Sequence, residues 1–206
     1  MNRSVKHWDG PGVEAWCGAW TPAEVAQKLV GVEVPWCVVG GWAIDLFLGR
    51  QTRPHGDLEI AVARSDFPAI RACLDAYAFH AVKSGEVRAL SPEEPLPAEV
   101  NQAWALDREA QLWRVDVMQE PGDRDTWVFR RDELITAPRR ALVSSDAAIP
   151  HLRPEGVLLY KAKACRPKDE ADFAACLPSL DSSARRWLAQ AIEKSHPNHA
   201  WLAALV

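Results

Sequence analysis

The pattern of apolar and polar positions predicts strands in the first part of the chain and helices in the last part. Residues 21–31 begin with TPAE, which predicts a helix with a threonine cap, a proline at its first position and a glutamate three residues after the cap. The apolar run 36–39 predicts a buried strand, and Gly40 and Gly41 break it before a short helix over 42–48.

The middle and end of the chain continue this order. Residues 57–62 alternate charged and apolar side chains before becoming fully apolar, which predicts a second strand. Ser65 then predicts the cap of a helix whose apolar side carries Phe67, Ile70, Leu74 and Tyr77. The remaining predicted segments are weak strands within 78–90, a loop over 91–99, strands over 111–118 and 127–129, and helices over 157–164, 168–176 and 182–192.

Strands followed by helices are typical of an α+β fold, in which a mixed sheet is flanked by helices. We expect an α/β domain over residues 1–145 and a helical C-terminal region over 146–206. Because the helical region is too short for a core of its own, we expect it to pack on the sheet.

Composition narrows the class of protein. The chain has 206 residues, of which 48% are hydrophobic and 25% charged, as in ordinary globular proteins. It has no apolar run of about 18 residues, and its first residues lack the apolar stretch of a secretory signal. We therefore expect a cytoplasmic protein without a membrane partner. The five cysteines form no C-x-x-C pair, which favours free thiols over disulfides or a zinc site.

The net charge and the tryptophan content of the chain indicate which kinds of substrate it could bind. The net charge of −4 lowers the expectation of a nucleic-acid partner and favours a cationic small substrate. Acidic residues that could attract such a substrate are Glu86, Glu93, Glu94, Glu99 and Asp107. Ten tryptophans are spread from Trp8 to Trp201, and most are expected in the core. Trp104 and Trp113 are the candidates for contact with a substrate.

Three features carry candidate chemistry. Gly40 and Gly41 permit a tight turn and close approach of a ligand to the helix N-terminus that follows, although a plain strand–helix turn would use the same residues. Asp57 and Glu59 lie two positions apart on a strand, so their carboxylates share a face and repel unless a cation lies between them. Hard oxygen ligands select magnesium. The alternative is an exposed strand face.

The third feature is Asp116, an acid flanked by valines in a predicted strand. Burying such an acid is costly unless it has partners. Either it lies beside Asp57 and Glu59 on a neighbouring strand, or it forms a surface pair with Arg114.

Together these residues resemble the nucleotidyltransferase superfamily related to DNA polymerase β. The strings GGWAID over 40–45 and GRQTRPHGDLE over 49–59 resemble the branch that holds the aminoglycoside 2″-nucleotidyltransferases and the lincosamide nucleotidyltransferases. YKAK over 160–163 and RPKDEADF over 166–173 resemble the same branch. Glu59 is a departure, because many members have aspartate there, but it remains a hard anionic ligand.

The resemblance implies a nucleotidyltransferase fold and a role for each motif. Asp57 and Glu59 would hold one or two magnesium ions, and Gly40 and Gly41 would cradle the phosphates of an NTP. Asp116 would orient or accept the proton of the attacking hydroxyl, complete the metal shell, or do both. Further contacts to nucleotide or substrate would come from Arg50, Arg53, His55, Lys161 and Lys163. Independently of the resemblance, a structural role is expected for Asp45, which would hold the 52–55 turn. Asp169 and Asp172 lie on one helical face, where they would either form a pairing network or take a direct part in the site.

The implied activity is magnesium-dependent transfer of a nucleoside monophosphate from an NTP to a hydroxyl of a small molecule, with release of pyrophosphate. An aminoglycoside- or lincosamide-type antibiotic is the expected acceptor. The alternatives are an antitoxin-like nucleotidyltransferase that acts on a protein or tRNA, and a non-catalytic nucleotide-binding homologue. The sequence leaves both a monomer and a homodimer open.

Overall fold

The computed structural model describes residues 10–205. Trp8 and most of the segment that was searched for a secretory signal lie outside the described residues. Within them, the strands are β1 (Trp36–Val38), β2 (Glu59–Ala63), β3 (Tyr77–Lys83), β4 (Glu86–Ala89), β5 (Gln102–Asp107), β6 (Leu112–Glu120), β7 (Thr126–Val128), β8 (Thr136–Pro138), β9 (Val143–Ser144) and β10 (His151–Leu152). The α-helices are α1 (Pro22–Lys28), α2 (Gly40–Leu48), α3 (Phe67–Cys73), α4 (Arg139–Leu142), α5 (Pro154–Lys161), α6 (Pro167–Cys176), α7 (Ser182–Ser195) and α8 (Leu202–Leu205).

Eight strands form one mixed sheet in the order β4-β3-β5-β6-β2-β1-β10-β9, and β7 and β8 form a separate pair. β2 runs parallel to β6, whereas β5 and β6 form an antiparallel pair. This confirms the expected α+β fold with a mixed sheet flanked by helices.

Most of the buried apolar side chains form one core that extends from Trp20 to Leu205. Within this core α5 packs against α2 and α7, so the C-terminal helices contact the strand-rich part of the chain. β10 lies beyond residue 145 and yet pairs with β1. The division into domains at residue 145 stays a prediction.

A second, smaller cluster lies on one face of the β5–β6 hairpin. Its buried members are Ala15, Leu106 and Trp113, and Trp16 and Trp104 pack against it. Trp16 belongs to a short 3₁₀ helix, Val13–Gly18, that covers β6. Trp113 is fully buried, so the expectation that it contacts a substrate is wrong.

The sequence correctly predicted the N-terminus of α1, which side-chain hydrogen bonds cap. The Thr21 hydroxyl accepts from the Glu24 N–H at 3.3 Å, and the Glu24 carboxylate accepts from the Thr21 N–H at 2.7 Å. This reciprocal pair confirms the predicted cap of α1.

The predicted cap at Ser65 is wrong. Residues 64–66 form a 3₁₀ turn, and α3 begins only at Phe67, without a side-chain cap. Tyr77, which was expected on this helix, instead begins β3. Four strands and two short helices were not predicted at all: β5, β8, β9, β10, α4 and α8.

None of the helices in residues 10–205 is both long and apolar enough to cross a bilayer.

Gly49 ends α2 in the left-handed conformation, with φ 66°. A side chain there would be strained, so Gly49→Ala is expected to lower the free energy of unfolding by about 1 kcal/mol, measured by urea denaturation. Gly56→Ala is the matched control, because Gly56 is exposed, has open space where a Cβ would lie and does not have a positive φ. Equal stability of the two variants would contradict the expected strain at Gly49.

Candidate active site

The parallel pairing of β2 and β6 brings two acids together. Glu59 is the register partner of Asp116, so the two side chains lie on the same face of neighbouring strands. Asp116 is buried, with 4% of its surface exposed, and its N–H donates to the Leu58 carbonyl at 2.9 Å. Asp57 lies just before β2 and is exposed. The two strands therefore place Asp116 beside the Asp57–Glu59 motif.

The three carboxylates influence one another electrostatically. Burial raises the pKa of Asp116 well above its usual value, and the charges of Glu59 and Asp57 raise it further. Burial also raises the pKa of Glu59, as does the charge of Asp57. The nearby cations Lys161, Lys168 and Arg166 oppose this shift of the Glu59 pKa. Ionising this group of acids is therefore unfavourable unless more positive charge is added.

These residues fit a divalent cation. Asp116 Oδ1 is buried and has no hydrogen-bond partner among the described residues, so one carboxylate oxygen is left for a ligand. The donor atoms are carboxylate oxygens, which hard cations prefer. In residues 10–205 no three Asp, Glu, His or Cys side chains already converge as a complete ligand set. The metal-binding roles of Asp57, Glu59 and Asp116 stay predictions.

Gly40 and Gly41 leave space for site residues. Gly40 has φ 65°, and a Cβ there would collide with the Glu59 carboxylate. A Cβ on Gly41 would collide with Arg53 and lie 2.6 Å from His55 Nδ1. The two glycines thus allow these side chains to lie against the start of α2, while their expected contact with phosphates stays a prediction.

The loop before Asp57 is held by Asp45 on α2. Asp45 Oδ1 accepts from the Thr52 N–H at 2.9 Å, and its other oxygen pairs with His55 Nε2 at 2.5 Å. This confirms the expected structural role of Asp45. His55 is 3% exposed in its side chain and stacks on Trp42, with 4.4 Å between ring centroids. In this arrangement His55 supports the loop, and its contact with nucleotide stays a prediction.

A buried ion network joins this loop to the C-terminal helices. Arg53 binds Asp172 through two hydrogen bonds of 3.0 Å, and Asp172 also pairs with Lys161 Nζ at 2.8 Å. Lys161 pairs with Asp169 at 3.1 Å, and Asp169 pairs with Arg166 at 2.8 Å. The expected pairing network of Asp169 and Asp172 is therefore confirmed.

The network stabilises both acids as carboxylates. Burial would raise the pKa of Asp169, but its bonds to Arg166 and Lys161 outweigh burial and lower the pKa to about 2. The pKa of Asp172 is also lowered, because the bonds to Arg53 and Lys161 outweigh its burial.

The two predicted lysines differ in position. Lys161 is buried at the end of α5 and lines the same cavity as Glu59 and Gly40. Lys163 lies beyond the end of the helix, is exposed, and is close enough to His196 to lower the pKa of that histidine. Lys163 is not among the residues that line the cavity. The geometry thus gives Lys161 the better position for a phosphate.

Three arginines that the sequence reasoning missed line the same cavity: Arg130, Arg131 and Arg166. Arg166 was part of a quoted motif but was given no role. Arg130 and Arg131 follow β7 and carried no recognisable pattern. Glu59 thus shares its cavity with a basic wall, formed by Arg130, Arg131, Lys161 and Arg166, that suits a polyphosphate.

Arg114 does not pair with Asp116. Its guanidinium donates to Asp107 Oδ2 at 2.9 Å and to the Gly18 carbonyl at 2.7 Å. The proposed surface pair is therefore wrong, because Asp107 on the neighbouring strand β5 takes Arg114.

A larger cavity, of about 540 Å³, lies elsewhere. It is lined by α3, β3 and residues 90–96, and it includes Phe79 and Gln119. Gln119 is three positions from Asp116 on β6, so its side chain lies on the opposite face of the sheet. This cavity contains none of the three carboxylates and is not the candidate active site.

Comparison with known proteins agrees with this geometry. Residues 23–98 match the family model described as aminoglycoside-2''-adenylyltransferase. The crystal structure of ANT(2'')-Ia in complex with adenylyl-2''-tobramycin has a TM-score of 0.52 and 16% identity, over 84% of this chain and 95% of that chain. The solution structure of ANT(2'')-Ia gives a TM-score of 0.51 and 16% identity, over 84% and 89% of the two chains. None of the curated proteins matches the chain.

Residues 23–98 are thus similar to the aminoglycoside-2''-adenylyltransferase family, and the fold of the chain is similar to that of ANT(2'')-Ia. The matched segment contains Gly40, Gly41, Asp57 and Glu59, whereas Asp116 and Lys161 lie beyond it. The structure therefore adds what the family match does not cover, namely the acid on β6 and the basic side chains near Glu59.

Asp172→Asn is expected to lower the free energy of unfolding of the protein by about 3 kcal/mol, measured by urea denaturation. The substitution removes a buried charge that pairs with both Arg53 and Lys161, and it leaves those cations only partly compensated.

Glu94→Gln is the matched control. It breaks the Arg88–Glu94 pair, whose side chains are 52% and 34% exposed, and no measurable change in stability is expected. If Asp172→Asn were as stable as Glu94→Gln, the ion network would not be what holds the 50–57 loop to the C-terminal helices.

Proposed function

We propose that this enzyme transfers a nucleoside monophosphate from an NTP to a hydroxyl of an aminoglycoside, with magnesium, and releases pyrophosphate. The observation that carries the proposal is the register of Glu59 with Asp116 beside a cavity wall of basic side chains. Such a site places acids for a metal next to cations for a polyphosphate.

Each acid has a distinct part in the proposal. Asp57 and Glu59 would hold the magnesium ion, because Asp57 lies just before β2, Glu59 begins it, and the charges of both act on Asp116. When bound, magnesium neutralises charge on the phosphates during in-line displacement. Asp116 would complete the metal shell and orient the acceptor hydroxyl and take its proton, and its free Oδ1 is the atom available for this.

The basic wall would hold the triphosphate. Arg130, Arg131, Lys161 and Arg166 line one cavity with Glu59. Cationic side chains bind phosphate oxygens through charge-assisted hydrogen bonds. Lys161 is already oriented by Asp169 and Asp172, so its ammonium group is fixed near Glu59 before nucleotide binds.

The acceptor class rests on the family description and on charge. The matched family model is described as an aminoglycoside-2''-adenylyltransferase, and the related crystal structure holds adenylyl-2''-tobramycin. Aminoglycosides are polycations, and the net charge of the enzyme is −4. A negative protein attracts such an acceptor. No nucleic-acid partner is part of the proposal.

The test is a transfer assay with the purified enzyme, magnesium, each NTP in turn, and tobramycin as the first acceptor. Mass spectrometry is expected to show an acceptor that has gained one nucleoside monophosphate. Asp57→Asn, Glu59→Gln and Asp116→Asn are each expected to lower kcat at least 100-fold, since each loses a group needed in the transition state.

The controls separate the parts of the proposal. If lincomycin and not tobramycin gained a nucleoside monophosphate, the proposed reaction would stand, but the acceptor would be a lincosamide and not an aminoglycoside. Binding of the magnesium–NTP complex, measured by calorimetry, with no transfer to any acceptor on a panel of both antibiotic classes would refute the antibiotic assignment. Undiminished transfer by Asp57→Asn would refute the assigned site.

A further inference from the structure

The two oxygens of the Asp116 carboxylate have different surroundings. Oδ2 accepts a hydrogen bond from Gln102 Nε2 at 2.8 Å. Oδ1 is buried and accepts no hydrogen bond from the described part of the chain. One oxygen is therefore occupied by the protein, and the other remains for a ligand.

The position of Gln102 follows from the β5–β6 pairing. Gln102 is the register partner of Met118, which lies two residues after Asp116 on β6. Side chains two positions apart on a strand share a face, so Gln102 and Asp116 project from the same side of the sheet. Because both residues belong to central strands, the backbone holds donor and acceptor at a fixed separation.

Trp104 is a second neighbour of the Asp116 carboxylate. It is the register partner of Asp116, and its indole N–H is buried. That N–H is near enough to the carboxylate to offset part of the rise in the Asp116 pKa that burial and Glu59 cause. The ring contacts Trp16 and Trp113 edge to face, with 5.2 Å between centroids in each case, which fixes its orientation.

We propose that Gln102 is a positioning residue for Asp116: its amide fixes Oδ2 and thereby aims Oδ1 into the site. The inference rests on the proposed function and names a residue that its reaction requires. A carboxylate without this bond can rotate about its χ2 torsion and present either oxygen. With the bond, one oxygen has a defined direction before substrate arrives.

The chemistry of the amide suits this role. A glutamine donates a hydrogen bond without adding charge, so it orients Asp116 and does not compete with a cation for the carboxylate. A lysine at this place would form an ion pair with Asp116 and neutralise it. A glutamate would repel it.

The principal test is Gln102→Met, which keeps the length of the side chain and removes the donor. We expect kcat for nucleotide transfer to fall about 10- to 100-fold, as for other residues that orient a ligand of a metal site. The KM values for NTP and acceptor, measured at saturating magnesium, are expected to stay within about threefold, because the basic side chains and not Asp116 bind the phosphates in the proposed site. Gln102→Glu is expected to lose more activity than Gln102→Met.

Gln111→Met is the matched control. Gln111 lies at the turn of the same hairpin and also donates one hydrogen bond, to the Arg108 carbonyl at 2.7 Å, but it is exposed and remote from the carboxylates. It is expected to keep the kcat of the unmodified enzyme. Comparing the melting temperatures of the two variants shows whether Gln102→Met is still folded.

A second readout needs no turnover. The affinity of the enzyme for Mn²⁺ alone, measured by electron paramagnetic resonance, is expected to fall about tenfold in Gln102→Met and not in Gln111→Met. A fall in kcat or in Mn²⁺ affinity that is absent from the control supports the proposal. Folded Gln102→Met protein with both quantities unchanged would overturn it. If the unmodified enzyme transfers no nucleotide, the proposed function fails, and the Mn²⁺ affinity alone decides the role of Gln102.

Discussion

The parallel pairing of β2 with β6 is the constraint on which the site depends. It places the partly buried Glu59 in register with the buried Asp116, and the charge of Asp57 acts on both. Two carboxylates that are side by side and shielded from water oppose folding unless other groups compensate them. Neighbouring residues reduce this unfavourable interaction. Gly40 leaves space for the Glu59 side chain, and cations near α5 and α6 offset the Glu59 charge. Gln102 donates a hydrogen bond to Asp116.

The compensating cations are themselves fixed by acids that do not belong to the site. Lys161 pairs with Asp169 and Asp172, and Asp172 also binds Arg53 from the loop that precedes Asp57. The network thus connects the loop before Asp57 with the helices that carry the cations. Fixing several long side chains in advance reduces the entropy lost when a polyphosphate binds. The C-terminal helices are in this sense part of the site as well as part of the core.

The sequence predicted those features that depend only on residues close together in the chain. The Gly40–Gly41 turn, the Asp57–Glu59 spacing and the cap of α1 are local features, and the structure has the turn, the strand and the cap. β5 was missed because its sequence, QAWALD, contains two alanines and no β-branched residue, which gives a weak strand signal. β9 and β10 are each two residues long and exist only through their long-range pairing. Gln102 was missed with β5, since a glutamine has no recognisable role until its strand is placed beside Asp116.

Asp116 shows most directly why long-range pairing decides function. In the sequence its nearest cation on the same face is Arg114, and a pair between them would have neutralised the acid. In the structure, the β5–β6 register instead pairs Arg114 with Asp107. It also places the neutral side chain of Gln102 where it donates a hydrogen bond to Asp116. A buried acid with a neutral partner retains its demand for positive charge, whereas one paired with arginine does not. Because the β5–β6 hairpin pairs Arg114 with Asp107, Asp116 remains available for a cation or for the proton of a substrate hydroxyl.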